Sequence, residues 1–359
     1  MIPIYIPHIY SESKVLANIA LDTGMIAAGP FIEQFEKEMA ELSNRKYAVS
    51  CANGTAALYL AIKALELPAK TEVILPSMTI VSCLTAILMN DLIPIFCDID
   101  RITLNIDFDS AESKITKNTS AILVINTYGL MIDTIKLHKI ENKYPNIKII
   151  EDASESHGAS HNKIRAGSVG TVSTFSFYTN KIVTTGEGGM VLTDSNIIYE
   201  KLLHLRNLNF IDRKKYIHDA AGFNFRMTNI QCAIGLGQLH NIENTIKERI
   251  RVALRYNKNF NNKLGEIQVP YSDSNFNNVH WYYPIIFNSG SEKIIKALEK
   301  NDIDYRHLFH PLHKQPFINN SDIIKNSEYA YANGILLPIF NELSDCDVDF
   351  ISNIILSEI

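Results

Sequence analysis

Three short stretches of this chain bring together residue types able to act on a carbonyl or an amine. Phe175-Ser176-Phe177-Tyr178-Thr179-Asn180-Lys181, followed by Thr184-Thr185-Gly186-Glu187-Gly188-Gly189, sets a lysine among aromatic and small residues just before a glycine-rich turn. A surface lysine usually keeps charged residues beside it, and this one has none. In a partly desolvated pocket near a phosphate-bearing aldehyde, such an amine forms an imine and afterwards serves as a base. The plainer reading is a lysine snorkelling from a strand end. Asp152 follows the apolar run KII at what reads as a strand end, where an acid is costly unless it meets a partner. A pyridine nitrogen is one such partner, because a carboxylate beside it keeps the ring protonated and able to accept electrons; a turn or helix-cap carboxylate is the other reading. Cys51 to Leu58 (CANGTAAL) passes from a strand-like run through Gly54 into a helix-forming stretch. A helix start there offers free N–H groups and a positive dipole to a phosphate.

These segments need a frame. From Glu72 onward, apolar runs alternate with amphipathic stretches: EVILP, PIFCDID, SAILVINTYG and KIIEDAS. That alternation predicts an α/β fold with a largely parallel sheet covered by helices on both faces. AILVI, Ala121 to Ile125, is the unbroken apolar run of a strand buried on both sides. TVSTFSFY and GGMVLTDS read as two further strands flanking a loop. Ligands in such folds collect at the carboxyl ends of the strands, where Asp152 is expected. Met227 to Phe260 holds no proline and keeps helical spacing, which predicts one or two long helices joining two domains. The division is therefore set at residues 1–245 for a large domain and 246–359 for a smaller α/β domain, with residues up to about Val15 packing on the latter.

Composition narrows the function classes. The 359 residues are 46% apolar, with a net charge of −5 and no basic stripe of the kind that releases counterions from nucleic acid. No run approaches the roughly 20 apolar residues of a membrane span, and MIPIYIPHIY lacks a cationic segment ahead of an apolar one. The expectation is a cytoplasmic protein without nucleic-acid or membrane partners. Five scattered cysteines form no CxxC pair and are expected to be reduced and mostly buried. Neither GxxxxGK[ST] nor GxGxxG occurs, which argues against an ATP site and against a nicotinamide oxidoreductase.

NGTAAL, EDASESHGA and FSFYTNKIVTTGEGGM, in this order, resemble the DegT/DnrJ/EryC1/StrS sugar aminotransferases. The likeness continues through EVILPSMTIVSC, GFNFRMTNIQCAIGLGQL, YRHLFHPLHKQP and GILLPIF and so covers nearly the whole chain. It implies the aspartate aminotransferase type of fold (fold type I of the pyridoxal phosphate-dependent transferases), a homodimer with shared active sites, and pyridoxal 5'-phosphate as cofactor, passing through pyridoxamine phosphate. Lys181 then matches the lysine that carries the cofactor, and Asp152 the acid at the pyridine nitrogen. Gly54, Thr55 and Ala56 match the phosphate-binding turn, Ser176 a phosphate-binding hydroxyl, and Asn224 an asparagine lent by the neighbouring subunit. Glu155 falls beside cofactor and sugar. Met78 stands where many relatives stack an aromatic ring on the pyridine, and its thioether is expected to pack there instead.

Some members of that family carry histidine in place of the lysine and act as dehydratases; Lys181 argues against that branch. CANGT, Glu155, Asn180 and HPLHKQP most resemble perosamine-synthase-like members, which transfer an amino group from L-glutamate to C4 of a nucleotide-linked 4-keto-6-deoxyhexose for surface polysaccharide. A 3-keto-sugar, a UDP- or dTDP-linked acceptor, and a noncatalytic cofactor-binding homologue stay open. His310 and His313 are candidate sugar-pocket residues or structural histidines, and Arg226 meets either a substrate phosphate or the dimer interface. His307, His310 and His313 do not read as a metal site, since Pro311 interrupts any helix and no Cys or carboxylate joins them. Trp281, Tyr282 and Tyr283 read as small-domain core rather than a stacking platform.

Overall fold

The computed structural model describes residues 1–212, 214–318 and 320–359. The apolar runs form a seven-stranded sheet: β1 (Tyr47–Cys51), β2 (Glu72–Pro76), β3 (Ile93–Cys97), β4 (Thr119–Ile125), β5 (Lys148–Asp152), β6 (Val172–Ser176) and β7 (Gly189–Thr193). Their spatial order is β1-β7-β6-β5-β4-β2-β3. Only β7 runs against its neighbours, pairing antiparallel with β6 and β1, while β3, β2, β4, β5 and β6 pair in parallel. The sheet is thus mostly parallel, as the apolar runs predict.

Period-two alternation divides β4 between two cores: Ile122 and Val124 enter one cluster, and Ala121, Leu123 and Ile125 enter the other. A strand buried on both faces has no polar side to show, which is why its sequence is continuously apolar. Helices Gly54–Ala64 and Val81–Met89 supply the second cluster, and Asn229–Leu239 with Pro30–Leu42 the first.

Met227 to Phe260 resolves into two helices, Asn229–Leu239 and Ile242–Phe260. The first opens on a capping box in which Thr228 and Gln231 satisfy each other's backbone N–H groups. The second lays Ile242 and Ile246 on the first core, and Val252, Ala253, Tyr256 and Phe260 on a third. That third core lies under a four-stranded antiparallel sheet of Ile267–Gln268, Tyr283–Phe287, Gly334–Leu337 and Arg306–His307. Helices Glu292–Lys300 and Asp345–Leu356 cover it, and Ile4 belongs to the same core. Cys51, Cys83, Cys97 and Cys232 are buried, Cys346 is exposed, and all five are free thiols. Among the described residues no helix is long and apolar enough to cross a membrane.

One exposed staple has a pH dependence. His240, capping Asn229–Leu239, faces Glu12 at 2.6 Å through Nδ1 and Glu38 at 2.9 Å through Nε2, tying two N-terminal helices to the central one. Partial burial opposes its charge, but the two carboxylates outweigh it and raise its pKa. A raised folded-state value means that the stabilisation is complete below the unfolded value of about 6.5 and is lost as pH climbs through the folded one. Solvent screening limits it to about 1 kcal/mol or less. Thermal melts of the wild type are expected to fall slightly across that window, and His240→Gln should remove this part of the slope.

Candidate active site

The strand ends converge on a cavity of about 760 Å³ lined by Gly54, Thr55, Ala56, Asp152, Glu155, Ser176 and Lys181. At one wall, Asn53 caps helix Gly54–Ala64, accepting the Ala56 N–H at 2.9 Å. The first helical N–H groups have no intrahelical acceptor and point outward. Ser176, at the end of β6, sits directly over this turn: a Cβ on Gly54 would stand 2.7 Å from Ser176 Cβ, so no other residue fits without moving it. Thr55 Oγ1 donates to Ser82 Oγ at 2.8 Å. The result is an anion cradle of N–H groups and hydroxyls.

The last two residues of β5 turn opposite ways, as the pleat requires. Glu151 points into the protein and is fully buried, accepting from Asn126 Nδ2 (2.7 Å), Gly167 N (2.9 Å) and Val169 N (3.1 Å). Burial pushes its carboxyl up to about 7 against these donors. Asp152 points into the cavity. Its Oδ1 accepts from Ser154 N (3.0 Å) and Thr174 Oγ1 (3.3 Å), and its Oδ2 from the Cys83 thiol (3.4 Å). A carboxylate bonded on one oxygen by a weak thiol donor retains strong acceptor capacity.

Glu155 accepts the Tyr128 N–H at 2.7 Å, and burial raises its pKa against the nearby positive charge of Lys181. Lys181 itself sits with Nζ 3.5 Å above the Trp281 ring centroid, and burial lowers its pKa against the pull of Glu155 and Asp152. Each group therefore pulls the other toward its charged form, while burial favours both as neutral. His157, packed between Phe175 and Phe177, is pushed down to about 3 by burial and then by Lys181, so its ring is neutral.

The remaining expected residues lie elsewhere. Met78 is fully buried in the third core with Ile4 and Tyr128, and Ile80, two residues on, reaches the cavity instead. His313 is buried between Ser77 Oγ (2.6 Å) and Glu328 (3.0 Å), bridging the segment after β2 to helix Lys325–Asn333. His310 packs edge-on against Tyr331 without lining the cavity. Asn224 and Arg226 are exposed; Arg226 donates to Asn207 Oδ1 at 2.6 Å, and only Phe225 between them reaches the cavity. Arg306, His307, Phe309, Tyr59 and Tyr178 line the cavity without having been singled out for it. Arg306 and His307 fall in the YRHLFHPLHKQP segment, but a two-residue strand has too little periodicity to tell which of its residues face inward. Trp281 and Tyr282 are core residues, as their apolar surroundings suggest, yet each also presents a surface to the cavity. Among the described residues no group of His, Cys, Asp and Glu side chains is placed to hold a metal ion.

Chemically the arrangement offers an anion cradle, a carboxylate with a free acceptor side, and an amine that makes no ion pair among the described residues. Comparison with known proteins agrees. GDP-perosamine synthase of Escherichia coli O157:H7 is 34% identical over 358 residues, covering 98% of this chain and 96% of that one. GDP-perosamine synthase of Vibrio cholerae is 33% identical over 365 residues, covering 99% and 98%. The crystal structure of S. venezuelae DesV in complex with a ketimine intermediate superposes with a TM-score of 0.90 at 26% identity, covering 97% of this chain and 94% of that one. The family model for DegT/DnrJ/EryC1/StrS aminotransferases matches residues 7–356. With the match running almost end to end over a site of this form, the chain belongs to the DegT/DnrJ/EryC1/StrS aminotransferase family.

Proposed function

We propose that the chain is a pyridoxal phosphate-dependent aminotransferase that moves the amino group of L-glutamate to C4 of a GDP-linked 4-keto-6-deoxyhexose. The observation that carries it is the meeting, in one cavity, of the buried Lys181 amine, Asp152 and the Gly54–Ser176 anion cradle. When bound, the cofactor supplies an aldehyde that joins to amines and a ring that accepts electrons.

The residues divide the work as follows. N–H groups at Gly54 and Thr55, with the Thr55 and Ser176 hydroxyls, bind the phosphate. Asp152 holds a proton on the ring nitrogen. Lys181 Nζ would hold the cofactor through its amine and, when free, would move a proton at the substrate carbon. A lysine depressed by burial is suited to that, because it releases its proton nearer neutral pH. Glu155 stands within the field of Lys181, where its carboxylate balances the ammonium. Arg306 and His307 give the outer cavity cationic and hydrogen-bonding groups for a nucleotide-linked substrate.

The acceptor assignment leans on the GDP-perosamine synthases at about a third identity over nearly the full chain. We further propose a homodimer in which Asn224 serves the partner's site. Supporting it, Asn224 is exposed, and the exposed apolar residues Ile80 and Met89 line the open cavity. The product would serve surface-polysaccharide synthesis.

Two experiments follow. With 15N-glutamate and a panel of GDP-, UDP- and dTDP-linked 4-keto-sugars and 3-keto-sugars, kcat/KM is expected to be highest for the GDP-4-keto-sugar, with label at C4. A preference for a 3-keto acceptor would refute the assignment while leaving the transaminase intact. Gly54→Ala should weaken cofactor retention about tenfold or more, because Ser176 must shift from the cradle at a cost of about 1–3 kcal/mol; equilibrium dialysis against pyridoxal phosphate measures it.

A further inference from the structure

Lys181 and Trp281 are 100 residues apart in sequence, and the second comes from the strand entry of the smaller sheet. Their contact is close: Nζ lies 3.5 Å from the indole centroid, well inside the roughly 6 Å range of cation–π attraction. The ring is fixed from several sides. Trp281 Nε1 donates to the carbonyl of Asn180, the residue before Lys181, at 2.9 Å. Asn180 Nδ2 donates in turn to the Tyr282 hydroxyl at 3.2 Å. Tyr128 lies nearly parallel to the indole at 6.5 Å. Gly129, at φ +101, admits the Trp281 backbone so closely that a Cβ there would stand 2.6 Å from its nitrogen. The indole and the lysine backbone are thus one clamped unit.

The other groups around the amine do not hold it. Asp152, Glu155 and the Cys83 thiol act on Lys181 through space, and the neutral His157 lies behind. Arg249, buried and donating to the carbonyls of Trp281 and Ile339, lines a small pocket together with Lys181. In this setting the negative face of an indole lies in direct contact with the ammonium, and desolvation strengthens that attraction.

We propose that Trp281 is a positioning residue whose indole face berths Lys181 Nζ as an ammonium whenever the lysine is not covalently engaged. Its meaning for turnover rests on the aminotransferase reading above: a lysine displaced by substrate would stay in place instead of swinging away. The berth itself is a property of the cofactor-free chain and is tested there.

Trp281 is the only tryptophan in the sequence, so indole emission comes from this ring and responds to its surroundings, Lys181 among them. In cofactor-free protein, emission is expected to titrate in a step with a midpoint below the ordinary lysine value of about 10.4. Lys181→Met should abolish the step. Biosynthetic replacement with a ring-fluorinated tryptophan preserves shape and the N–H bond but drains the ring face of negative charge; the midpoint is expected to fall by about half to one unit. With Lys181 followed by 13Cε NMR, since these variants carry no indole, Trp281→Phe, keeping a face but losing the bond to Asn180, should shift the lysine midpoint less than Trp281→Leu. A step that survives Lys181→Met belongs to Glu155 or His157 and overturns the proposal, as does a midpoint indifferent to fluorination. Because fluorination leaves the packing intact, that arm does not depend on a variant that folds poorly. Cofactor binding and turnover are read separately, so a protein that transaminates without the titration sinks only the berth, and one that titrates but never binds cofactor sinks only the function.

Discussion

Replacing Lys181 by alanine is expected to slow amino transfer by at least about 10²–10⁴-fold while leaving the fold unharmed. On the proposed function the loss comes from two roles in one atom, since Nζ would both hold the cofactor and carry the proton, and general acid–base work alone is worth that factor. The fold is spared because, among the described residues, the amine makes no ion pair, and burial disfavours its charge. Removing the amine sets relief of a desolvated cation against loss of the Trp281 contact and of the charge that balances Glu155, so the melting temperature should move by no more than about a few degrees. Single-turnover kinetics and a thermal melt on the same preparation separate the two effects. A large drop in melting temperature would mean that Lys181 supports structure, and the chemical reading would weaken accordingly.

Asp152→Asn should cost a comparable factor, about 10²–10³-fold in the rate of proton transfer, because the amide retains shape but not the charge that keeps a ring nitrogen protonated. Its neighbour provides the contrast. Glu151, one residue earlier on the same strand, faces away from the cavity and holds Asn126, Gly167 and Val169. Glu151→Ala leaves three buried donors unsatisfied and is expected to cost about 3 kcal/mol of stability in a denaturant melt. Turnover per folded molecule should change little. Adjacent acids with opposite consequences, one kinetic and one thermodynamic, follow from the strand pleat alone.

How far the sequence reveals this arrangement can be judged residue by residue. Lys181 stood out because charged neighbours are missing beside it, and Asp152 because an acid ends an apolar run; both signals are local, and both side chains reach the cavity. The Gly54 turn was readable for the same reason, since the strand-to-helix passage is written in consecutive residues. β4 declared itself buried on both faces by being apolar throughout. Trp281 carried no such mark. Its surroundings are those of any core strand, and its approach to Lys181 is decided by how the smaller sheet docks, which no period of the chain records. Met78 and Ile80 illustrate the same limit: which of two apolar residues in a bend faces the cavity depends on backbone direction after β2, not on residue type. His313 stays open in the sequence between a pocket and a structural histidine, and its ring is engaged by Ser77 and Glu328.

The most direct test of the account is the visible spectrum of protein reconstituted with pyridoxal phosphate, recorded before and after L-glutamate and again after a GDP-linked 4-keto-6-deoxyhexose. The account predicts a visible band from the lysine-bound cofactor that glutamate bleaches and the keto-sugar restores, with no such cycle in Lys181→Ala. A wild-type band that glutamate leaves untouched, or an alanine variant that cycles equally well, would contradict it.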